Sequence, residues 1–219
     1  MKKLLLILLC LPMIGFGQNI NIPDANFKAL LITPLFGINT NGDSEIQVSE
    51  ATAFNGSINC SQMNISDLTG IESFTALTYL NCGDNQLTSL DVSNNLALTN
   101  LGCSGNQLTT LDVSQNDSLV SLGCSVNQLT SLDLRNGNNT IQIIRVVYNP
   151  DLFCIDVDDV AFSTTNWTVL TIPPSIDTTM YFSNNCSGTA IEEYSTNKEL
   201  LKVTDLLGRE TKGIKNQPL

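Results

Sequence analysis

The chain has no histidine and few basic residues: 10 Lys and Arg face 21 Asp and Glu, for a formal net charge of −11 over 219 residues. Without imidazole, the Ser-His-Asp and Cys-His arrangements of nucleophilic catalysis are excluded. A P-loop, a dinucleotide fingerprint and a CxxC pair are also missing, so no catalytic or cofactor motif is present and the chain reads as a non-enzyme. Between Lys28 and Lys198 only Arg135 and Arg145 are basic. That scarcity excludes nucleic acid as a partner, because phosphate neutralisation needs a basic surface. It also disfavours anionic membranes. The adjacent acids Asp158-Asp159 and Glu192-Glu193 read as solvated pairs. No apolar run is long enough to span a bilayer, so no transmembrane segment is expected.

The longest apolar run lies at the N-terminus. Lys2 and Lys3 precede Leu4 to Ile14, and Gly15-Phe16-Gly17 supplies small residues at the cleavage positions. Residues 1–17 therefore read as a signal peptide, with Gln18 opening the mature chain. Cys10 follows Leu9, where a lipoprotein signal requires a small residue, so plain secretion is expected.

Internal periodicity dominates the rest. Leu77, Leu98 and Leu119 recur at a period of 21. The columns Leu80/Leu101/Leu122, Cys82/Cys103/Cys124, Asn85/Asn106/Asn127, Leu87/Leu108/Leu129 and Leu90/Leu111/Leu132 keep the same spacing, and Asp91, Asp112 and Asp133 follow the last. Looser turns flank them: Ile58, Cys60 and Ile65, with Met63 at the Asn position, and Ile141, Ile144, Val146 and Asn149. The alternation around each Cys predicts a short strand with one buried face. One turn buries too little apolar surface to fold alone, so neighbours must stack. A buried Asn can serve the backbone groups at the bend after each strand, and the Asp column is expected to cap turn amides.

The pattern LxxLxCxxNQLxxLD resembles the leucine-rich-repeat family, with Cys at the third apolar position, over roughly residues 56 to 155. The resemblance implies a mostly β solenoid with short helices, a parallel concave sheet, a helical N-terminal cap and a disulfide-locked C-terminal cap. It also implies binding of a protein or glycan through the concave face. The outward strand positions there are Tyr79, Asn81 and Gly83; Asn100, Gly102 and Ser104; Ser121, Gly123 and Ser125; and Ile143, Arg145 and Val147. Tyr79, Asn81, Asn100, Ser121 and Arg145 are the candidate ligand contacts. Tyr79 and Arg145 stand out because Tyr and Arg are frequent interface hot spots. A passive surface spacer or adhesin segment is the alternative, favoured by the small residues at mid-face.

Cys60, Cys82, Cys103 and Cys124 are expected in a row about 4.8 Å apart, a line that cannot surround one zinc tetrahedrally. They read as buried thiols packing as small apolar residues. Cys154 and Cys186 flank the last apolar stretch of a secreted chain and are expected to pair, as in the caps of similar repeat proteins. Trp167, inside that loop, is expected to plug the open end of the core.

Ahead of the repeats, Asn39 to Glu50 reads NTNGDSEIQVSE. The segment resembles a calcium loop of the EF-hand type. Carried over, the resemblance implies side-chain oxygens from Asn39, Asn41 and Asp43, the Glu45 carbonyl, Gln47 directly or through water, and both oxygens of Glu50. Asn39 is neutral, and Ser44 stands where the family keeps Gly, which implies weak binding, ~0.1–1 mM, in a structural role. Helices are expected at Asp24 to Leu31 and at Ser49 to Phe54, with Ser49 as a cap. The alternative is an Asn/Gly/Asp-rich turn between two capping helices.

Beyond a polar linker, ELLKVTDLLGRETK (199–212) resembles the C-terminal sorting domain of the type IX secretion system of Bacteroidetes, an apolar strand ending in DxxGR. Such domains continue into further strands, so the resemblance implies a partial copy, type IX export machinery as partner and the outer surface of a Gram-negative bacterium as destination. An ordinary amphipathic strand or helix is the alternative. The expected organisation is signal peptide 1–17, N-terminal cap 18–55, repeats 56–155, C-terminal cap 156–187, linker 188–197 and sorting segment 198–219.

Overall fold

The computed structural model describes residues 17–137, 141–167 and 176–186. The signal segment as far as residue 16, the linker and the sorting segment lie outside the described residues. Helix α1, Ala25–Leu31, starts where Asp24 Oδ1 accepts the Asn26 and Phe27 N–H groups, both at 3.0 Å. Its apolar residues Phe27, Leu30 and Leu31 recur at helical spacing and are buried. Helix α2 runs Val48–Ala53 and its N-cap is Gln47, not the expected Ser49. Glu50 decides this: its Oε2 accepts the Gln47 N–H at 3.0 Å, which leaves Ser49 inside the first turn.

Five short strands form one parallel sheet: β1 (Ser57–Asn59), β2 (Tyr79–Asn81), β3 (Asn100–Gly102), β4 (Ser121–Gly123) and β6 (Ile143–Arg145). A second parallel ladder joins β5 (Leu132–Asp133), β7 (Cys154–Asp156) and β8 (Tyr181–Ser183). Helix α3, Val160–Asn166, lies between β7 and β8 in sequence. The central residues Ile58, Leu80, Leu101, Leu122 and Ile144 are in register and buried. The columns of Leu77, Cys82 and Leu87 are likewise buried, giving one continuous core. Each buried Leu-class side chain contributes ~1.5–3 kcal/mol.

The Asn column joins successive turns. Asn106 Nδ2 donates to the carbonyls of Cys82 and Cys103, both at 3.0 Å, and its Oδ1 accepts the Leu87 N–H at 3.0 Å. Asn85 one turn earlier and Asn127 and Asn149 one and two turns later do the same. Met63 can stand in the first turn because Asn85 reaches back to serve it, accepting the Met63 and Ile65 N–H groups. The Asp column caps turns as expected: Asp91, Asp112 and Asp133 accept from Ser93, Ser114 and Arg135 N–H at 2.9, 2.8 and 3.0 Å.

A second buried Asn row lies outside the strand-centred pattern. Asn95 Nδ2 donates to the carbonyls of Ile71 and Phe74, and Asn116 Nδ2 to those of Val92 and Asn95. The repeated D-V-S-x-N at Asp91–Asn95 and Asp112–Asn116 is its sequence signal.

Both ends of the stack are closed. At the N-terminal end, Asp24 Oδ2 accepts the Ser66 N–H at 2.9 Å and its hydroxyl at 3.1 Å, tying α1 to the first turn. At the other end Cys154 and Cys186 form a disulfide with Cα atoms 5.7 Å apart. Trp167 is buried, donates from Nε1 to Ile141 O at 3.2 Å and meets Phe162 and Phe182 edge-on.

Two predictions follow from these bonds. Asn106→Ala strands two carbonyls and one N–H in the core and should cost about 1–3 kcal/mol in urea unfolding; an unchanged midpoint would refute the bridging role. Burial pushes the Asp24 carboxyl up, but hydrogen bonds from Ser66, Phe27 and Asn26 outweigh it and hold the group below 3.8. A lowered folded pKa means that the clasp is at full strength above that value and is lost as pH falls through the folded pKa. Melting temperature should therefore drop more steeply for the parent than for Asp24→Asn between about pH 4 and pH 2. Equal slopes would show that the clasp does not titrate with folding.

Candidate functional site

The exposed face of the five-stranded sheet holds the candidate contacts in two rows. Register places Tyr79, Asn100, Ser121 and Ile143 side by side in one, and Asn81, Gly102, Gly123 and Arg145 in the other. Tyr79, Asn100 and Ser121 are thus brought together. Tyr79 and Arg145 stand in different rows and three strand spacings apart, about 14 Å across the sheet. Gly83 is buried, contrary to its expected place on the open face. Asn81 Oδ1 accepts the Gly83 N–H at 3.1 Å, and a Cβ on Gly83 would meet Ser104 O at 3.1 Å. The polar groups of the mid-face are partly engaged as well: Asn100 Oδ1 accepts the Thr99 hydroxyl, and Ser104 Oγ accepts the Ser125 N–H. These two rows carry no carboxylate or thiol, so they offer surface for contact and no acid–base pair.

The thiols lie beneath this face. Cys60, Cys82, Cys103 and Cys124 are buried and unpaired with one another. Burial pushes Cys60 and Cys124 up to about 12 and raises Cys82 and Cys103 well above the ordinary thiol value. They remain neutral and act as packing groups, not nucleophiles.

In the acidic loop, three of the six carried-over residues converge. Asn41 Nδ2 and Gln47 Nε2 both donate to Asp43 Oδ2 at 2.9 Å, and Asn41 Nδ2 also donates to Gln47 Oε1 at 2.8 Å. The expected ligand oxygens of Asn39 and Glu50 are engaged by local donors. Asn39 Oδ1 accepts the Gly42 N–H. The Glu45 carboxylate, which is not its expected ligand atom, pairs with Lys28 at 2.7 Å and leaves the expected backbone carbonyl uninvolved in that pair. Glu50 Oε1 accepts the Thr40 N–H and hydroxyl at 2.7 and 2.8 Å and the Asn41 N–H at 3.3 Å. Burial pushes the Glu50 carboxyl up, but those bonds and that from Gln47 outweigh it and lower it. The Glu45 N–H is the chief cause that lowers Asp43. The donor set is chemically suited to calcium, being oxygen-rich. In this geometry the side chains of Asn41, Asp43 and Gln47 meet, with Gln47 Oε1 and Asp43 Oδ2 both turned toward Asn41 Nδ2.

Repeated parallel strands, Leu and Cys columns and bridging asparagines define a leucine-rich-repeat solenoid. Internalin J of Listeria monocytogenes serotype 4b is 37% identical over 83 residues, 37% of this chain and 9% of that protein. The structure of the functional domain of InlJ from Listeria monocytogenes, described as including a cysteine ladder, superposes with a TM-score of 0.52 and 32% identity. That match covers 64% of this chain and 33% of the solved one, so the chain spans a minor part of both relatives. No family model matches. Among the described residues, no helix is long and apolar enough to cross a membrane.

Proposed function

We propose that this chain is a secreted or cell-surface recognition module that binds a protein or glycan through the exposed face of its five-stranded sheet, without enzymatic activity. The observation that carries this reading is the division of labour in each turn. Buried columns are committed to the core, while Tyr79, Asn100 and Ser121 form a contiguous row with no part in it. The likeness to internalin J supports it. The small residues Gly102 and Gly123 favour the second reading, a rigid spacer. In the first reading, full-length chain captures defined members of a glycan array or a random-peptide library, and Ser121→Trp abolishes capture at unchanged melting temperature. Capture of nothing on either panel supports the spacer.

A weak structural calcium at Asn39, Asn41, Asp43, Glu45, Gln47 and Glu50 belongs to the same proposal. The convergence of Asn41, Asp43 and Gln47 supports it. Scanning calorimetry in ~5 mM calcium should raise the melting temperature relative to chelator, and Asp43→Ala should remove the shift; no calcium-dependent shift would reject it. Residues 198–219 complete the proposal as an export and attachment address for the type IX machinery of a Gram-negative, Bacteroidetes-type cell, supported by the DLLGR sequence.

A further inference from the structure

The last two turns of the solenoid break a rule that the earlier turns obey. At the bend after each strand one residue adopts positive φ: Gln62 (59°), Asp84 (53°), Gly105 (70°), Val126 (55°) and Tyr148 (61°). The first three are polar or Gly. A β-branched residue is strained in this conformation, and Val126 is 52% exposed, so the core gains little from it. Tyr148 is 70% exposed. The pair sits on neighbouring turns, since the Val126 N–H donates to Val147 O at 2.9 Å. The Tyr148 N–H donates to Asp177 Oδ2 at 2.7 Å, so the fold itself holds that bend; at Val126, strain kept with little return in packing points to a use outside the fold.

The same end of the sheet carries Ile143, 53% exposed, with Arg145 and Val147 on alternate positions of the same face. Gly123 lies beside Arg145 and leaves its flank open. Arg135, the other cation between Lys28 and Lys198, is held by Asp133 at 2.6 Å and Asp156 at 3.8 Å. Arg145 forms no ion pair among the described residues, although the chain carries a net charge of −11.

We infer that Ile143, Arg145, Val147, Tyr148 and Val126 form a docking patch for a protein segment that pairs an Asp or Glu with an aromatic or branched aliphatic residue. The carboxylate meets the Arg145 guanidinium, which can bind it in a two-pronged contact. The apolar side chain covers Val126 and Tyr148. A second copy of this chain is a poor occupant, because like patches bring two guanidinium groups together. The inference rests on the recognition reading above and specifies its partner.

The test is selection of a random-peptide display library on the immobilised full-length chain. Enriched peptides should combine Asp or Glu with aromatic or branched aliphatic residues. Their capture should fall about tenfold or more with Arg145→Glu and with the double variant Val126→Gly, Tyr148→Gly. That double variant should melt no lower than the parent, because Gly accepts positive φ without strain. Enrichment without acidic residues, capture unchanged in these variants, or a lower melting temperature of the glycine variant would overturn the patch. Peptides lost on Ser121→Trp but retained by Arg145→Glu and the glycine variant would remove the patch and leave sheet-face recognition standing. No enrichment would remove the patch, and with a blank glycan array it would remove recognition too.

Discussion

From the second turn on, a carboxamide at the bend after the strand ties each turn to the one before it. A coil built from strands of only three residues must bend immediately after each, and the bend exposes carbonyls to an apolar interior. Asn106 satisfies one carbonyl from its own turn and one from the turn before, and accepts an N–H from that earlier turn. No apolar residue could do this, and the cost of an unsatisfied group in the core exceeds the net worth of an ordinary hydrogen bond. The direction of the bridge matters. Every Asn reaches backward, so the first turn can carry Met63 at that position, while the last bridge, from Asn149, still needs a stack behind it.

The same stacking dictates the caps. An open solenoid leaves a core cross-section facing water at each end. The N-terminal answer is polar at its rim: the Asp24 carboxylate starts its own helix with one oxygen and holds Ser66 with the other. The C-terminal answer is covalent and aromatic. Trp167 packs its buried indole against Phe162 and Phe182 with its N–H reaching the Ile141 carbonyl, and the Cys154–Cys186 bond joins residues 32 apart in sequence. A disulfide of this kind typically contributes about 2–4 kcal/mol.

Much of this was legible in the sequence because its causes repeat. Leu, Cys, Asn and Asp columns each express one packing or hydrogen-bond requirement met several times over, and the 21-residue period displays them together. What escaped notice depends on single contacts or on backbone conformation. Ser49 has the chemistry of a cap, but Glu50 three residues after Gln47 fixes the start of α2 earlier. Gly83 follows the alternation of an exposed position, yet Asn81 folds over it. The Asn95 and Asn116 row lies beyond the strand-centred motif, where no alternation draws attention to it. The acidic loop reads as a set of ligands in sequence, whereas in three dimensions its oxygens mostly accept local N–H groups.

A repeat also turns deviation into information. The columns that build the core are nearly uniform, so substitutions there say little beyond the fold. The bend position is different, because its backbone requirement of positive φ is constant while its side chain faces solvent. Gly105 meets that requirement at least steric cost, Asp84 at modest cost, and Val126 at the greatest. Stability alone would drive the column toward glycine or asparagine. Val126 and Tyr148 run against that pressure near Arg145, a cation that forms no ion pair among the described residues. The three irregularities coincide at one end of a face whose middle is small and neutral. In a structure this regular, their coincidence is more informative about binding than the repeat itself, which specifies the scaffold and leaves the target open.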